Sequence, residues 1–359
     1  VKKFLKYNLL VLFSVLFITL QPLQLYSSEP AFQQKDSSRF STIASIYNKQ
    51  EAFDFVKELT KDDYAGRSSG TEGCDKAATW IADQFKKWNL HPYHDDSYMQ
   101  EISSALTFTK TSNVIGYIPS IDRDSKDSIV IGAHYDHIGK DPSGKIFRGA
   151  NDNASGIGVM MEVARSLTTS ILINRINIVF IAFSAEEKGL IGSYFYVKNP
   201  LFPVKNILAM INLDMVGTGI GSWEVTTNFE RNKSLNQVLT KAFGYYKKNY
   251  RLAPEYLKPV SDHYPFYSLG VPILFLIRGN PTHIGGYHTL KDTIDTIDQG
   301  NLEECGKLSI LVILLVGKNQ IEIFPRYEIN FEMNRLENIP CIPQQSLGGY
   351  GLIFSDCSL

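Results

Sequence analysis

INIVFIAFSAEEKGLIGS, residues 176–193, decides how the rest of this chain is read. Seven of the eight residues from Ile176 to Phe183 are apolar, with Asn177 the one break. A run so rich in β-branched and aromatic side chains reads as a strand buried on both faces. Ser184-Ala185-Glu186-Glu187 follows, and Gly189 and Gly192 mark the approach to a helix. Adjacent carboxylates at the end of a central strand are costly to keep charged unless a cation meets them. In open α/β sheets that carboxyl edge is also where ligands bind. Glu186 and Glu187 are therefore expected to face a metal site.

On either side of this stretch, strand and helix patterns alternate. Ser128–Ala133 reads as a strand ending in His134-Tyr135-Asp136-His137, and Ile207–Leu213 as one ending in Asp214. Ala154–Thr168 reads as an amphipathic helix preceded by Gly149-Ala150-Asn151-Asp152-Asn153. Leu235–Phe243 is helical in spacing, Val271–Ile277 a strand, and Leu302–Val316 an apolar helix expected to pack on the sheet. The alternation predicts an α/β fold with a mostly parallel, mixed central sheet and helices on both faces. Upstream, Lys49–Thr60 and Asp75–Trp88 carry helical spacing, with a loop over Gly66–Gly73, and residues 97–118 read as a pair of edge strands. The Gly217–Gly221 run fits neither glycine-rich phosphate pattern and is read as a loop.

The 359 residues are 44% hydrophobic and 20% charged, ordinary for a chain that buries a large core, and the formal net charge is −1. Nothing in that balance points to nucleic acid or to an anionic membrane, so function must come from a local site. Residues 1–28 have the layout of a secretory signal peptide: Lys2, Lys3 and Lys6, then an apolar run over Leu9–Leu20, then Leu25-Tyr26-Ser27-Ser28 as a cleavage region. The reading is an exported protein, periplasmic or extracellular, with an uncleaved N-terminal anchor as the alternative. One domain over 29–325 and a C-terminal tail over 326–359 complete the division. Cys74, Cys305, Cys341 and Cys357 could form up to two disulfides in an oxidising compartment, with no pairing favoured by spacing.

Each strand-end turn delivers a candidate metal ligand: His134, Asp152, Glu187, Asp214, and His288 within Gly286-Tyr287-His288-Thr289. Two histidines and three carboxylates suit zinc or a similar divalent ion. Five donors exceed one tetrahedral catalytic zinc and fit two ions about 3.5–4 Å apart that share a carboxylate. Glu186 is then left over beside the pair, where a general base is needed. Singly, each residue has a plainer reading, as a hydrogen-bonded histidine, a helix cap or a solvated helix start. Five such residues at successive turns are hard to assemble by accident.

HYDHIG, GANDNASG, FSAEEKGLIGS, NLDMVG, SDHYPF and YHTLKDT together resemble the co-catalytic zinc aminopeptidase family. That family includes bacterial leucyl aminopeptidase and aminopeptidase Y; glutamate carboxypeptidase and the transferrin receptor share its fold. The resemblance runs from about Gly66 to about Gly317. It implies two zinc ions per chain, bridged by Asp152, with His134 and Asp214 on one and Glu187 and His288 on the other. It further implies Glu186 as the base that deprotonates a zinc-bound water, and Asp136 as a carboxylate orienting His134. Substrates would be peptides with a free N-terminus. His137 and His283 match no ligand position and are read as a structural and a loop residue. Some relatives use a tyrosine near the SDH segment to stabilise the oxyanion; here Tyr256, Lys258 and His263 are the candidates. The loops around Lys258 and Gly279–Gly286 would form the substrate pocket. Two other functions remain open, a glutaminyl cyclase-like acyltransferase, which uses one zinc, and a non-catalytic ectodomain of the same fold.

Overall fold

Side-chain caps set where the first helices begin. In α1 (Lys49–Leu59) Asn48 accepts from the backbone N–H of Gln50, and in α2 (Glu72–Lys87) Thr71 accepts from that of Cys74. Capping at Thr71 explains why α2 starts ahead of the apolar pattern, which only becomes legible from Asp75. The structure is a computed structural model that describes residues 42–43, 45–104, 109–228, 233–278, 286–317 and 321–324. The expected signal segment, the tail over 326–359 and His283 lie outside those residues, as do Cys341 and Cys357.

The chain continues through β1 (His91–Pro92), β2 (Met99–Ser104), β3 (Thr109–Ile118), β4 (Ser128–His134), α3 (Ser155–Thr169), β5 (Ile171–Asn174) and β6 (Asn177–Phe183). Then come α4 (Ile191–Lys198), β7 (Ile207–Leu213), β8 (Trp223–Thr227), α5 (Lys233–Tyr245) and β9 (Tyr250–Leu252). Helix α6 (His263–Ser268), β10 (Ile273–Arg278), α7 (Gln299–Val316) and β11 (Ile321–Phe324) complete it.

The main sheet runs β1-β3-β6-β4-β7-β10-β8-β9, with β2 also on β3; β5 and β11 form a separate pair. Its centre is parallel, β6 with β4, β4 with β7, and β7 with β10. Antiparallel pairings join β3 to β6 and β8 to β10. The sheet is thus mixed as expected, with three parallel pairings together at its centre and a fourth, β8 with β9, at one edge. One expectation is corrected: β3 is not an edge strand. It lies between β6 and the β1 and β2 segments, with Ile115 opposite Ile181 and fully buried. Its mixed composition masks that burial, because buried Thr111 and Asn113 use their side chains for hydrogen bonds to Ser184, Gln100 and the Gly192 carbonyl.

Strands β4 and β6 are buried at all seven positions. On one face Val130, Val179, Ile181, Phe183, Met210 and Ile273 pack with Tyr196 of α4 and Phe266 of α6. The rings of Phe183, Tyr196 and Phe266 lie 5.8–6.4 Å apart, a spacing at which aromatic pairs add to burial. The alternate positions, Ile129, Ile131, Phe180 and Ile211, are equally buried, so the opposite face is covered too, and α3 contacts β4, β6 and β7. Helix α7 lies mainly on α1, α3 and α5, with a smaller contact to β7; its place is in the helical layer more than on the sheet itself. Cys74 and Cys305 are buried free thiols.

A buried arginine ties the loops above this sheet together. Arg67 is fully buried and donates to four backbone carbonyls: Nε to Tyr135, Nη1 to Leu59 and Arg148, and Nη2 to Gly149, at 2.6–2.8 Å. It thereby fixes the segment after β4 against the turn that precedes α3. Removing the guanidinium strands several buried acceptors, each worth about 1–3 kcal/mol. Arg67→Met is expected to lower unfolding free energy by at least about 3 kcal/mol, read from a shift of the denaturant midpoint at unchanged slope.

Candidate metal centre

Because β4, β6, β7 and β10 are parallel, their carboxyl ends share one rim, and the expected site residues follow from it. His134 is the last residue of β4, Glu186 and Glu187 follow β6, and Asp214 follows β7. Asp152 stands in the turn before α3, and His288 lies beyond β10.

All five candidate ligands converge. His134 Nε2 lies 3.4 Å from Asp152 Oδ1 and 3.4 Å from Asp214 Oδ1. His288 Nε2 lies 3.1 Å from Asp152 Oδ2 and 3.1 Å from Glu187 Oε2. Asp152 therefore turns one oxygen to each histidine. Two donor atoms about 2.0–2.1 Å from a tetrahedral ion stand roughly 3.3 Å apart, so these separations suit two ions side by side. Asp152 Oδ2 and Asp214 Oδ1 are buried without a hydrogen-bond partner among the described residues. Buried acceptors left without partners, one beside each histidine, are what cations would satisfy. The donor set of imidazole nitrogens and carboxylate oxygens fits zinc.

The backbone around these residues is held by neighbours the sequence reading did not single out. Asp292 accepts from the N–H groups of Asn151 and Asp152 at 2.7 and 3.0 Å. Asn151 Oδ1 accepts from Gly217 and Thr218, while Asn153 bonds Gly156, Met215 and the Leu213 carbonyl. The turn carrying Asp152 is thus clamped to the segment carrying Asp214. Ser261 donates to Asp214 Oδ2 at 2.8 Å, which leaves Oδ1 to face His134. Left-handed backbone occurs at Ala185, Met215 and His288, with φ of 58°, 55° and 53°. Non-glycine residues held there store strain of about 1–3 kcal/mol each, and such strain gathers at functional sites.

Asp136 differs in detail from its expected role. His134 Nδ1 meets the Asp136 backbone carbonyl at 3.1 Å, and the carboxylate stands off at 3.7 Å. That carboxylate instead accepts from Ser69 Oγ and from the Glu186 N–H. The main chain of Asp136 faces the imidazole, and its side chain fixes the Glu186 backbone. His137 also differs. Read from the sequence as structural, it stands in the cluster, with Nδ1 3.1 Å from Glu187 Oε1. Its place in HYDH, three residues past His134, was the available signal. Tyr287, also passed over, stacks on His288 at 3.9 Å between ring centroids.

The oxyanion candidates separate. The Tyr256 hydroxyl donates to Glu224 at 3.0 Å, and burial with the Glu224 charge pushes it up to about 12. His263 is buried, stacked on Phe275 and bonded through Nε2 to the Tyr256 carbonyl at 2.8 Å; burial lowers it to about 4. Lys258 is exposed.

Electrostatically the site is dominated by its carboxylates. Burial pushes Glu186 well above the ordinary carboxylate range, opposed by His134 and reinforced by Asp262, Asp214 and Glu187. Burial would raise Glu187 as well, but hydrogen bonds from His137 and His288 outweigh it and hold it low. His134 is fully buried, which alone would lower it, yet Glu186, Asp214 and Asp152 raise it well above its usual value. His288 is pushed up to about 10 by the carboxylates of Asp152 and Glu187 that face it. Two neighbouring glutamates are thereby driven apart, Glu186 toward holding a proton and Glu187 toward staying ionised, the separation seen where one carboxyl moves protons and the other binds.

Residues 113–313 match the sequence profile of Peptidase family M28. Over 217 residues the chain is 34% identical to aminopeptidase YwaD of Bacillus subtilis, covering 57% of this chain and 44% of that protein. Over 282 residues it is 28% identical to leucine aminopeptidase 1 of Ajellomyces dermatitidis, covering 75% of this chain and 71% of that one. The chain thus spans less than half the length of the Bacillus relative. Among solved structures, BSAP, a zinc aminopeptidase from Bacillus subtilis, superposes with a TM-score of 0.61 at 21% identity over 74% of this chain and 94% of that one. Porphyromonas gingivalis glutaminyl cyclase does so with a TM-score of 0.61 at 20% identity over 75% and 98%. These two likenesses are of fold. The profile match covers more than half of the chain and encloses His134, Asp152, Glu186, Glu187, Asp214 and His288, and on that ground the chain belongs to Peptidase family M28.

Proposed function

We propose that this chain is an exported metallo-aminopeptidase that removes N-terminal residues from peptides, with two divalent ions, zinc by donor chemistry, and Glu186 as general base. The observation that carries the reading is Asp152, whose two oxygens each face a separate group of donors beside Glu186. His134 and Asp214 would hold one ion and Glu187 and His288 the other, with Asp152 shared. Bound there, the ions supply Lewis acidity and bring the pKa of a water down to about 7.

The residues of the chain do the rest. Glu186 Oε2 lies 4.0 Å from His134 Nε2, within reach of a water between the two donor groups. Its raised pKa suits a carboxyl that takes a proton from the attacking water and gives it to the leaving amine nitrogen. In balance, one water O–H and the amide C–N bond break while C–O and N–H bonds form. Glu187, Asp152 and Asp214 stay acceptors throughout. Restriction to a free amino end is supported by the aminopeptidase names of the sequence relatives. Export is supported by the basic start and apolar run within residues 1–28.

Glu186→Gln should keep both ions and cut kcat on aminoacyl-anilides by about 10²–10⁴-fold, measured with metal analysis on the same sample. Full activity of that variant would remove Glu186 from the role. Asp152→Asn should lose metal together with turnover. Peptides beginning with glutamine separate the neighbouring activity: release of glutamine supports an aminopeptidase, and conversion to pyroglutamate supports the cyclase reading.

Metal binding should also depend on pH in a defined direction. In the metal-free chain the surrounding carboxylates raise His134 and His288, which favours their protonated forms. Ligation needs neutral imidazoles, so affinity should rise with pH from 6 toward 9. Near neutrality, loading both positions should release a net number of protons greater than zero. Calorimetric titrations in buffers of different ionisation enthalpy read that number directly; a value near zero would contradict these protonation states.

A further inference from the structure

The donor set has one member more than the two-ion arrangement uses. Four residues, His137, Asp152, Glu187 and His288, offer ligand atoms all within 4.8 Å of one another, while the second group holds only His134, Asp152 and Asp214. We propose that His137 Nδ1 is a direct ligand of the ion held by Glu187 and His288, so that one position has four protein donors and the other has three. This rests on the two-ion reading above and assigns an inequality that reading does not contain.

Distances come first. His137 Nδ1 is 3.1 Å from Glu187 Oε1 and 3.7 Å from Asp152 Oδ2. His288 Nε2 is 3.1 Å from an oxygen of each of the same carboxylates. These values bracket the roughly 3.3 Å edge of a tetrahedron around zinc. The two imidazoles stand 5.7 Å apart by ring centroids and 68° apart in plane, so they approach the carboxylates from different directions, as ligands of one tetrahedral ion do.

The ring is also fixed in that pose. Its side chain is fully buried, and its backbone N–H donates to the Arg67 carbonyl at 3.2 Å. On its other side lies Gly149, where a Cβ would sit 2.6 Å from the ring and where φ is +57°. Glycine suits both the left-handed backbone and the close approach. His137 Nε2 has no hydrogen-bond partner among the described residues, and the polar groups facing Nδ1 are the two carboxylates.

The consequence concerns division of labour. Four protein donors close a tetrahedral zinc site, whereas three leave a position open. The open position then falls to the His134, Asp152 and Asp214 group, the side on which Glu186 stands 4.0 Å from His134 Nε2. The four-donor ion would be the tighter and the less exchangeable of the two.

Cobalt(II) reports this without any assay of turnover. The metal-free full chain is titrated with Co²⁺ and followed by proton NMR, in which each cobalt-bound imidazole shows its other ring N–H as a far-shifted, solvent-exchangeable line. Three such lines are expected at two bound equivalents, from His134, His137 and His288. His137→Asn places an amide nitrogen near Nδ1 and can still donate to Glu187. It should show two lines and bind the tighter equivalent at least roughly 10–100-fold more weakly. Two lines in the unsubstituted protein with two ions bound would overturn the assignment of His137 and leave the two-ion reading standing. Failure to bind two ions would overturn both. The line count needs no variant, so a poorly folded His137→Asn protein would not blur it.

Discussion

Too many carboxylates share one rim of the sheet. Asp136, Asp152, Asp214, Asp262 and Asp292 are buried there, with Glu186 and Glu187 only slightly more open. Facing them from the same chain are Arg67 and the rings of His134, His137 and His288. Anions taken out of water repel one another strongly unless cations stand among them. The metal-free chain answers by protonation: burial pushes Asp262 up to about 7, and raises Asp136, Asp292 and Glu186 as well. Divalent cations would answer the same repulsion without neutralising the ligands, and this is why a metal reading explains the rim better than a buried polar network does.

Keeping such groups close requires that nothing around them relax. Most of the restraint comes from uncharged side chains bonded to backbone. Asn151 and Asn153 lock the turn before α3 to the segment after β7, and Asn212, through Ser261, sets the rotamer of Asp214. Arg67 serves the same end with charge, spending its guanidinium on carbonyls instead of on the carboxylates beside it. A cation that paired with Asp152 would compete with the site for its ligand. Bound to peptide oxygens, it leaves the carboxylates free and still lowers their mutual repulsion.

The legible part of the chain was the part under simple constraints. Strands β4, β6, β7 and β10 announce themselves because burial on both faces leaves mostly apolar residues. A charged residue just past such a run must have a reason to be there, which is how His134, Glu187 and Asp214 were found. Less legible was β3, whose Asn113 is fully buried and reads as a surface residue, although it bonds Gln100, Gly192 and Ser184. The short strands β5, β8, β9 and β11 carry too few residues for a period to show. Asp292 and Asn151 escaped notice for another reason. Their work is on backbone N–H groups far away in sequence, and no spacing encodes that.

The fold alone does not separate a peptidase from a cyclase, since solved structures of both kinds superpose on this chain equally well. The resemblance reads the cyclase with one ion and the peptidase with two, so the two readings differ at the second group of donors. Asp152 Oδ1 and Asp214 Oδ1 both face His134 Nε2, and Ser261 bonds the other oxygen of Asp214. A chain needing one ion gains nothing from orienting a second buried carboxylate with its own hydroxyl partner, and would keep an unpaired acceptor at a cost of about 1–3 kcal/mol. The orientation of Asp214 is therefore the feature most at odds with a one-ion reaction, and it weighs toward hydrolysis.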